Sequence, residues 1–218
     1  MNKILNSKTL HSLEKKLVEK LSQFDLFQNP QVNASPRAIG DTVQEVIGDI
    51  LPDCFPAGLI DEFSSNFARR AMEDVAFVDT DGNYYAIDIK THNLSTDFNM
   101  PNLISVERLA RFYRDEKKYF VILLVEYTVI EGHLTFINTH FIPIEHLEWS
   151  CLTIGALGWG QIQIANSNRI EVNRSNTRVD WMLSFCDTMD AFYPKEIKNI
   201  TERIDNIHAV RSFWESKK

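Results

Sequence analysis

Residues 119 to 130 read Y-F-V-I-L-L-V-E-Y-T-V-I, an apolar β-forming run interrupted by a single charge. A strand with apolar side chains on both faces must be covered on both faces. The run therefore predicts a central strand in a layered α/β fold. Glu131-Gly132 is a turn signal, and residues 134 to 142 read as the returning partner strand. A second pair lies upstream, where Val75, Ala76, Phe77 and Val78 precede an Asp81-Gly82 turn and residues 84 to 89 are again β-rich. The expectation is an α/β fold whose central mixed β-sheet, of about five strands, is flanked by helices, with residues 74 to 90 at its centre.

The flanking helices show in the apolar spacing. Leu10, Leu13, Leu17, Leu21 and Phe24 place an amphipathic helix over residues 8 to 28. It packs either on its own core or on a second subunit. Asn29-Pro30 ends it, and a polar linker is expected up to Pro36. Ile39, Val43, Val46, Ile47 and Ile50 mark a helix over residues 38 to 51, broken by Pro52 and Pro56. Residues 59 to 70 read as helical. Pro101 suits the first turn of a helix reaching residue 118, and residues 143 to 147 read as a short helical connection. Residues 179 to 192 and 194 to 215 read as two helices. Trp181, Leu183, Phe185, Met189 and Phe192, then Ile197, Ile200, Ile204, Ile207 and Phe213, suit core or dimer packing rather than a cofactor box.

A length of 218 residues, 44% hydrophobic and 24% charged, fits one globular domain over residues 1–218, with residues 1–30 as an arm available for dimerisation. No stretch approaches the length of a membrane span, and no apolar signal core is visible. Cys54, Cys151 and Cys186 are odd in number and lack metal spacing, so they read as reduced thiols in a cytoplasmic protein.

The chemistry gathers at the ends of the upstream hairpin. Asp74 opens its first strand, and Asp88 and Lys90 close its second. Antiparallel pairing brings those ends together, and residues two apart share a strand face. Two carboxylates beside an ammonium suit Mg²⁺-assisted phosphodiester hydrolysis. Mg²⁺ takes hard oxygen ligands, usually one or two carboxylates with water and phosphate. It polarises a phosphoryl oxygen and lowers the pKa of water, while a lysine orients water or neutralises developing charge. A salt bridge at the end of a surface hairpin would use the same residues.

Asp74 followed by Asp88-Ile89-Lys90 resembles the motif of the PD-(D/E)xK nucleases. Three further stretches are similar, in the same order, to HincII-like type II restriction endonucleases. They are T-H-N-L-S-T-D-F-N-M-P-N-L-I-S from Thr91, Q-I-Q from Gln161 and N-T-R-V-D-W from Asn176. The resemblance covers residues 70 to 190 and departs in two places. Glu73 stands where proline is expected, and the hairpin is one residue longer. Either Glu73 or Asp74 is then the first metal ligand, with Asp74 preferred because the apolar run follows it directly.

The resemblance implies a restriction-endonuclease-like core in which Asp74, Asp88 and the Ile89 carbonyl hold Mg²⁺. Lys90 acts on water, and Glu45 on an early helix helps to organise metal and water. It further implies a homodimer that cuts double-stranded DNA at a short palindromic site and leaves 5′-phosphates. The cognate methyltransferase would be encoded nearby without being a stable subunit. Asn102 takes a base-contacting position, Asn99 pushes against or between bases, and Gln161 and Gln163 reach the grooves.

A net charge of −7 requires basic surface to be local if the ligand is DNA. The candidates are Arg69-Arg70, then Arg108, Arg111 and Arg114, with Glu107, Asp115 and Glu116 nearby to pair with them. The best nucleic-acid surface is residues 166 to 178, where Arg169, Arg174, Asn176 and Arg178 are DNA-contact candidates. Residues 91 to 100 read as a polar loop. In it Thr91 holds Lys90 or a phosphate, Asn93 reads a base edge, and His92 is exposed. The glycine-dense residues 155 to 160 lack the Lys and Ser/Thr of a phosphate loop and read as a bend that lets Trp159 pack. A repair or recombination nuclease on the same scaffold, or a DNA-binding module without catalysis, are the competing functions.

Overall fold

The computed structural model describes residues 2–33, 35–65, 72–155 and 158–218. It forms two compact units, Met1–Arg174 and Ser175–Lys218. The fold is α/β, with a mixed five-stranded sheet flanked by helices.

In the first unit, α1 (Ser7–Leu21) starts at Asn6, whose side chain accepts from the Thr9 N–H. After α2 (Pro30–Asn33), α3 (Pro36–Cys54) is capped by Ser35, which accepts from the Ala38 N–H. The strands follow as β1 (Ile60–Ser64), β2 (Val75–Asp79), β3 (Tyr84–Asn93) and β4 (Asn102–Ser105). Then come α4 (Val106–Phe112), β5 (Lys118–Ile130), β6 (His133–Pro143), β7 (Leu152–Gly155) and β8 (Gln161–Ile164). The main sheet runs β1-β2-β3-β5-β6, and only the β3–β5 pair is parallel. A second, three-stranded antiparallel sheet runs β4-β8-β7.

Alternation along β3 and β5 divides the main sheet chemically. Tyr85, Ile87 and Ile89 join Val121, Leu123, Val125 and Tyr127 in one core with Leu10, Leu13, Leu17, Val43 and Ile47 of the helices. The opposite face of β3 carries Asp88, Lys90 and His92. The apolar run of β5 is thus covered on both faces, as its sequence requires. The hairpin turn is locked by Asp79, whose Oδ1 accepts from the Asp81 and Asn83 N–H groups, each at 2.9 Å. Gly82 there has φ of 76°, a conformation that suits glycine.

Several local expectations are corrected. Residues 60–64 are not helical but form edge strand β1, with Phe63 opposite Phe77. Backbone groups on the free edge of β2 needed that partner, and apolar spacing does not register such a need. Arg69-Arg70 lies outside the described residues. The expected linker contains α2, and α3 continues through Pro52, losing one donor in its final turns. Residues 102–105 are strand β4 rather than helix, because β8 offers a pairing edge; α4 then starts at the Ser105 cap. Residues 91–93 belong to β3, paired with Val125, Glu126 and Tyr127, so His92 is fully buried rather than exposed. Trp159, expected to pack at a bend, is 67% exposed.

The second unit holds α5 (Arg178–Glu215), one continuous helix where two were expected, with Pro194 inside it. Proline's φ is helical, so the sequence break costs a donor without ending the element. Thr177 caps it by accepting from the Asp180 N–H, and the Trp181 and Phe185 rings stack at 6.2 Å. No helix among the described residues is long and apolar enough to cross a membrane.

The core assignment has a direct test. Leu123 at the sheet centre has no exposed surface, whereas Ile137 is 41% exposed. Leu123→Ala should cost about 2–5 kcal/mol in urea unfolding, and Ile137→Ala well under 1 kcal/mol. Equal costs would contradict this core.

Candidate active site

Strand β2 begins at Val75, and Asp74 stands immediately before it. The Asp74 N–H donates to the Ile87 carbonyl at 2.8 Å, extending the hairpin ladder by one bond. The Asp74 side chain makes the next link, with Oδ2 accepting from the Ile89 N–H at 2.7 Å. Its other oxygen, Oδ1, accepts from the Gln44 amide of α3 at 2.8 Å. Both oxygens of Asp74 are therefore held, one by the sheet and one by the helix layer.

Glu73, the alternative first acid, turns elsewhere. Its Oε1 accepts from the Tyr84 hydroxyl at 3.0 Å. Asp74 and Asp88 line one cleft of about 340 Å³, together with Ser105, Arg108, Gln161 and the backbone turn into α4. Glu73 is not among its lining residues.

Asp88 is 7% exposed. Its Oδ1 accepts from the Lys90 ammonium at 2.6 Å, and its buried Oδ2 has no hydrogen-bond partner among the described residues. Burial pushes the Asp88 carboxyl up to about 7, the Lys90 charge and hydrogen bond oppose this, and the Asp74 charge adds to the rise. Burial also raises the Asp74 carboxyl, against the Ile89 N–H bond and the Lys90 charge. Within a strand, the N–H and C=O of one residue point toward the same neighbour. The Ile89 carbonyl therefore faces the edge where Asp74 sits.

These features fit a hard cation. A buried carboxylate oxygen without a partner is costly, and a cation beside it would keep Asp88 ionised. Asp74, Asp88 and the Ile89 carbonyl are the oxygen donors that would hold such a cation. Among the described residues, no group of three or more His, Cys, Asp or Glu side chains is arranged to hold a metal. The donor set is two carboxylates and a backbone oxygen, in keeping with Mg²⁺ ligation.

The remaining candidates scatter around this centre. Glu45 is exposed and lines a separate hollow of about 440 Å³ with Asp41, Gln44, Asp49 and Asp74. The helix residue that bonds Asp74 is its neighbour Gln44, a residue absent from the sequence-based candidates. Thr91 is on the opposite face of β3 from Lys90; a Cβ on Gly40 of α3 would come within 3.4 Å of its hydroxyl. Asn93 accepts from the Ser95 N–H, closing the end of β3. The Asn99 carbonyl accepts from the Ser167 N–H at 2.8 Å.

The amides of the small sheet do come together. Asn102 is opposite Gln163, whose amide donates to the Asn102 side chain, and Gln161 is opposite Ser105. Gln161 lines the Asp74–Asp88 cleft. Arg169 is exposed at the end of a short 3₁₀ turn, and Arg174 is exposed 4.0 Å from Glu14. Arg111 pairs with Glu107 on α4. Asn176 and Arg178 belong to the second unit, at the start of α5, and are half-buried.

His92 was missed as a buried group. Both of its ring nitrogens lack hydrogen-bond partners among the described residues, and burial lowers its pKa. Its register partner Glu126 is held by Asn138 at 2.9 Å and by His140 at 3.3 Å. No family model matches the chain, and no curated protein matches it.

The raised Asp88 carboxyl predicts a pH-dependent cost. Between its ordinary value and about 7, the folded chain binds more protons at Asp88 than the unfolded chain. Stability from this group therefore falls as pH rises through that window and stays low above it. In chelator, Asp88→Asn should gain on the parent by on the order of 2 kcal/mol between pH 5 and pH 8, read by urea unfolding. A difference that stays flat with pH would contradict the buried, partly unpartnered carboxylate.

Proposed function

We propose that the chain is a PD-(D/E)xK phosphodiesterase, a type II restriction endonuclease that cuts duplex DNA as a homodimer. The observation that carries this reading is the Asp88 pair. One oxygen is on Lys90, the other is buried with no hydrogen-bond partner among the described residues, and Asp88 lines the cleft that Asp74 also lines. A buried carboxylate oxygen with no protein donor, on a residue that lines a cleft with a second carboxylate, is what a hard cation would satisfy.

In this reading Asp74, Asp88 and the Ile89 carbonyl hold Mg²⁺, which supplies Lewis acidity toward a phosphoryl oxygen. The Ile89 N–H and Gln44 fix the Asp74 carboxylate, so little reorganisation is needed when a phosphate arrives. Lys90, held on Asp88, orients a water for in-line attack on phosphorus and offsets charge on the transition state. The P–O3′ bond breaks, leaving a 5′-phosphate and a 3′-hydroxyl. Ser105, Arg108 and Gln161 line the same cleft and are placed to meet the scissile phosphate or the flanking groove. The Asn102–Gln163 pair presents amides at the edge of the small sheet, a chemistry suited to base edges. The two-fold symmetry of a homodimer matches a palindromic site with one active site per strand. A restriction-endonuclease-like core accounts for a parallel β3–β5 pair that brings the motif strand to the sheet centre.

The test is a digest of long unmethylated duplex DNA. Discrete fragments that need Mg²⁺ and vanish in chelator are expected. A smear, or cutting of branched substrate alone, would favour a repair nuclease, and binding without cutting would remove the catalytic assignment. Asp88→Ala and Lys90→Ala should each lower cleavage by about a thousandfold or more while the chain stays folded. Gln44→Ala, which frees one Asp74 oxygen without changing charge, should lower it by about ten- to a hundredfold. Undiminished cutting by the Asp88 or Lys90 variant would sink the proposal.

A further inference from the structure

The second half of α5 is an unpaired surface. Every residue from 200 to 218 is exposed. Ile197, Ile200, Ile204, Ile207 and Trp214 are each at least 50% exposed, although the apolar ones recur with helical spacing. An isolated helix gains little from propensity alone and draws its stability from packing an apolar stripe. The steps from Ile197 to Ile200, Ile204, Ile207, Arg211 and Trp214 alternate three and four residues. That is the seam of a two-stranded coiled coil, with Ile197, Ile204 and Arg211 at one repeat position and Ile200, Ile207 and Trp214 at the other.

We propose that this segment pairs antiparallel with the same segment of a second copy of the chain. Charge selects the occupant and the direction. A parallel pair would stack Arg211 on the partner's Arg211 inside the seam. Antiparallel pairing seats Ile204 on the partner's Ile207, Ile197 on the partner's Trp214, and Arg211 beside the partner's Ile200. There its charged end can reach water. The same register brings Glu196 at one end of the seam to the partner's Lys217 at the other, twice by symmetry. Among the described residues Glu196 accepts from Asn199, and the Lys198–Glu202 pair lies off the seam. The surface is thus complementary to itself in one direction and not in the other. Val210 flanks the stripe beside the partner's Arg203 in this register.

This deepens the homodimer of the proposed function by naming the segment that makes it. It is read by mass, so loss of cleavage leaves the result unaffected. A seam of under three heptads is a small interface and should be reversible. Sedimentation velocity on the full chain, without DNA or metal, should show a shift from monomer to dimer over roughly 1 to 200 μM. Glu196→Lys should weaken the dimer about two- to fivefold, and adding Lys217→Glu should restore it. Lys217 is exposed and Glu196 is half-buried with a single local hydrogen bond to Asn199, so thermal unfolding of each variant checks that the fold is kept. In a Cys186→Ser background, mixing Ile204→Cys with Ile207→Cys should give an inter-chain disulfide under mild oxidation. Ile204→Cys alone should not link to itself. A monomer at every concentration, a dimer indifferent to the Glu196 and Lys217 reversals, or self-linking of Ile204→Cys would each overturn the proposal.

Discussion

Where the backbone ladder between β2 and β3 runs out, the Asp74 side chain takes it over. Its N–H meets the Ile87 carbonyl, and its carboxylate meets the next free donor, the Ile89 N–H. An acid placed there cannot rotate away without leaving a strand N–H unpaired in a half-buried setting. The position of the first carboxylate is thus tied to the register of the hairpin. Asp79 and Gly82 set that register at the other end, through the turn. A one-residue slip would turn Asp88 and Lys90 toward the helices and Ile87 and Ile89 toward the cleft.

The two faces of β3 divide the labour. One is apolar and bears the packing of α1 and α3; the other holds a carboxylate that is buried but only half satisfied. Burying Asp88 costs stability, and Lys90 offsets part of that cost on one oxygen alone. Such an arrangement is retained more readily for chemistry than for stability. Helix α3 joins the two faces, since its apolar stripe packs the core while Gln44, near the helix's edge, reaches Asp74. The small sheet closes the cleft from the far side with Gln161 and Ser105.

Much of this was legible in the residues. The long apolar run announced β5, the Asp-Gly turn announced the hairpin, and strand parity put Asp88 and Lys90 on one face. Other elements were hidden for a common reason. β1 and β4 have little periodicity of their own and exist because a neighbouring edge offers hydrogen bonds. His92 looked like a loop residue because its neighbours are polar, yet parallel pairing with β5 draws it into the sheet. Gln44 could not be singled out by sequence, because which polar residue of α3 meets Asp74 depends on how the helix is rotated against the sheet.

Side-chain periodicity, turn chemistry and the pairing of strand ends are local properties, and the sequence alone determined them. They yield the sheet's centre, the amphipathic helices and the acid, acid and lysine at one end of a hairpin. Long-range geometry decided the rest. Asp74 rather than Glu73 faces Asp88, because Glu73 finds the Tyr84 hydroxyl instead. Among the described residues the buried oxygen of Asp88 is left without a partner, and Ile197, Ile200, Ile204 and Ile207 of α5 stay exposed. Burial and partnership are sums over residues distant in the chain, so no local pattern contains them.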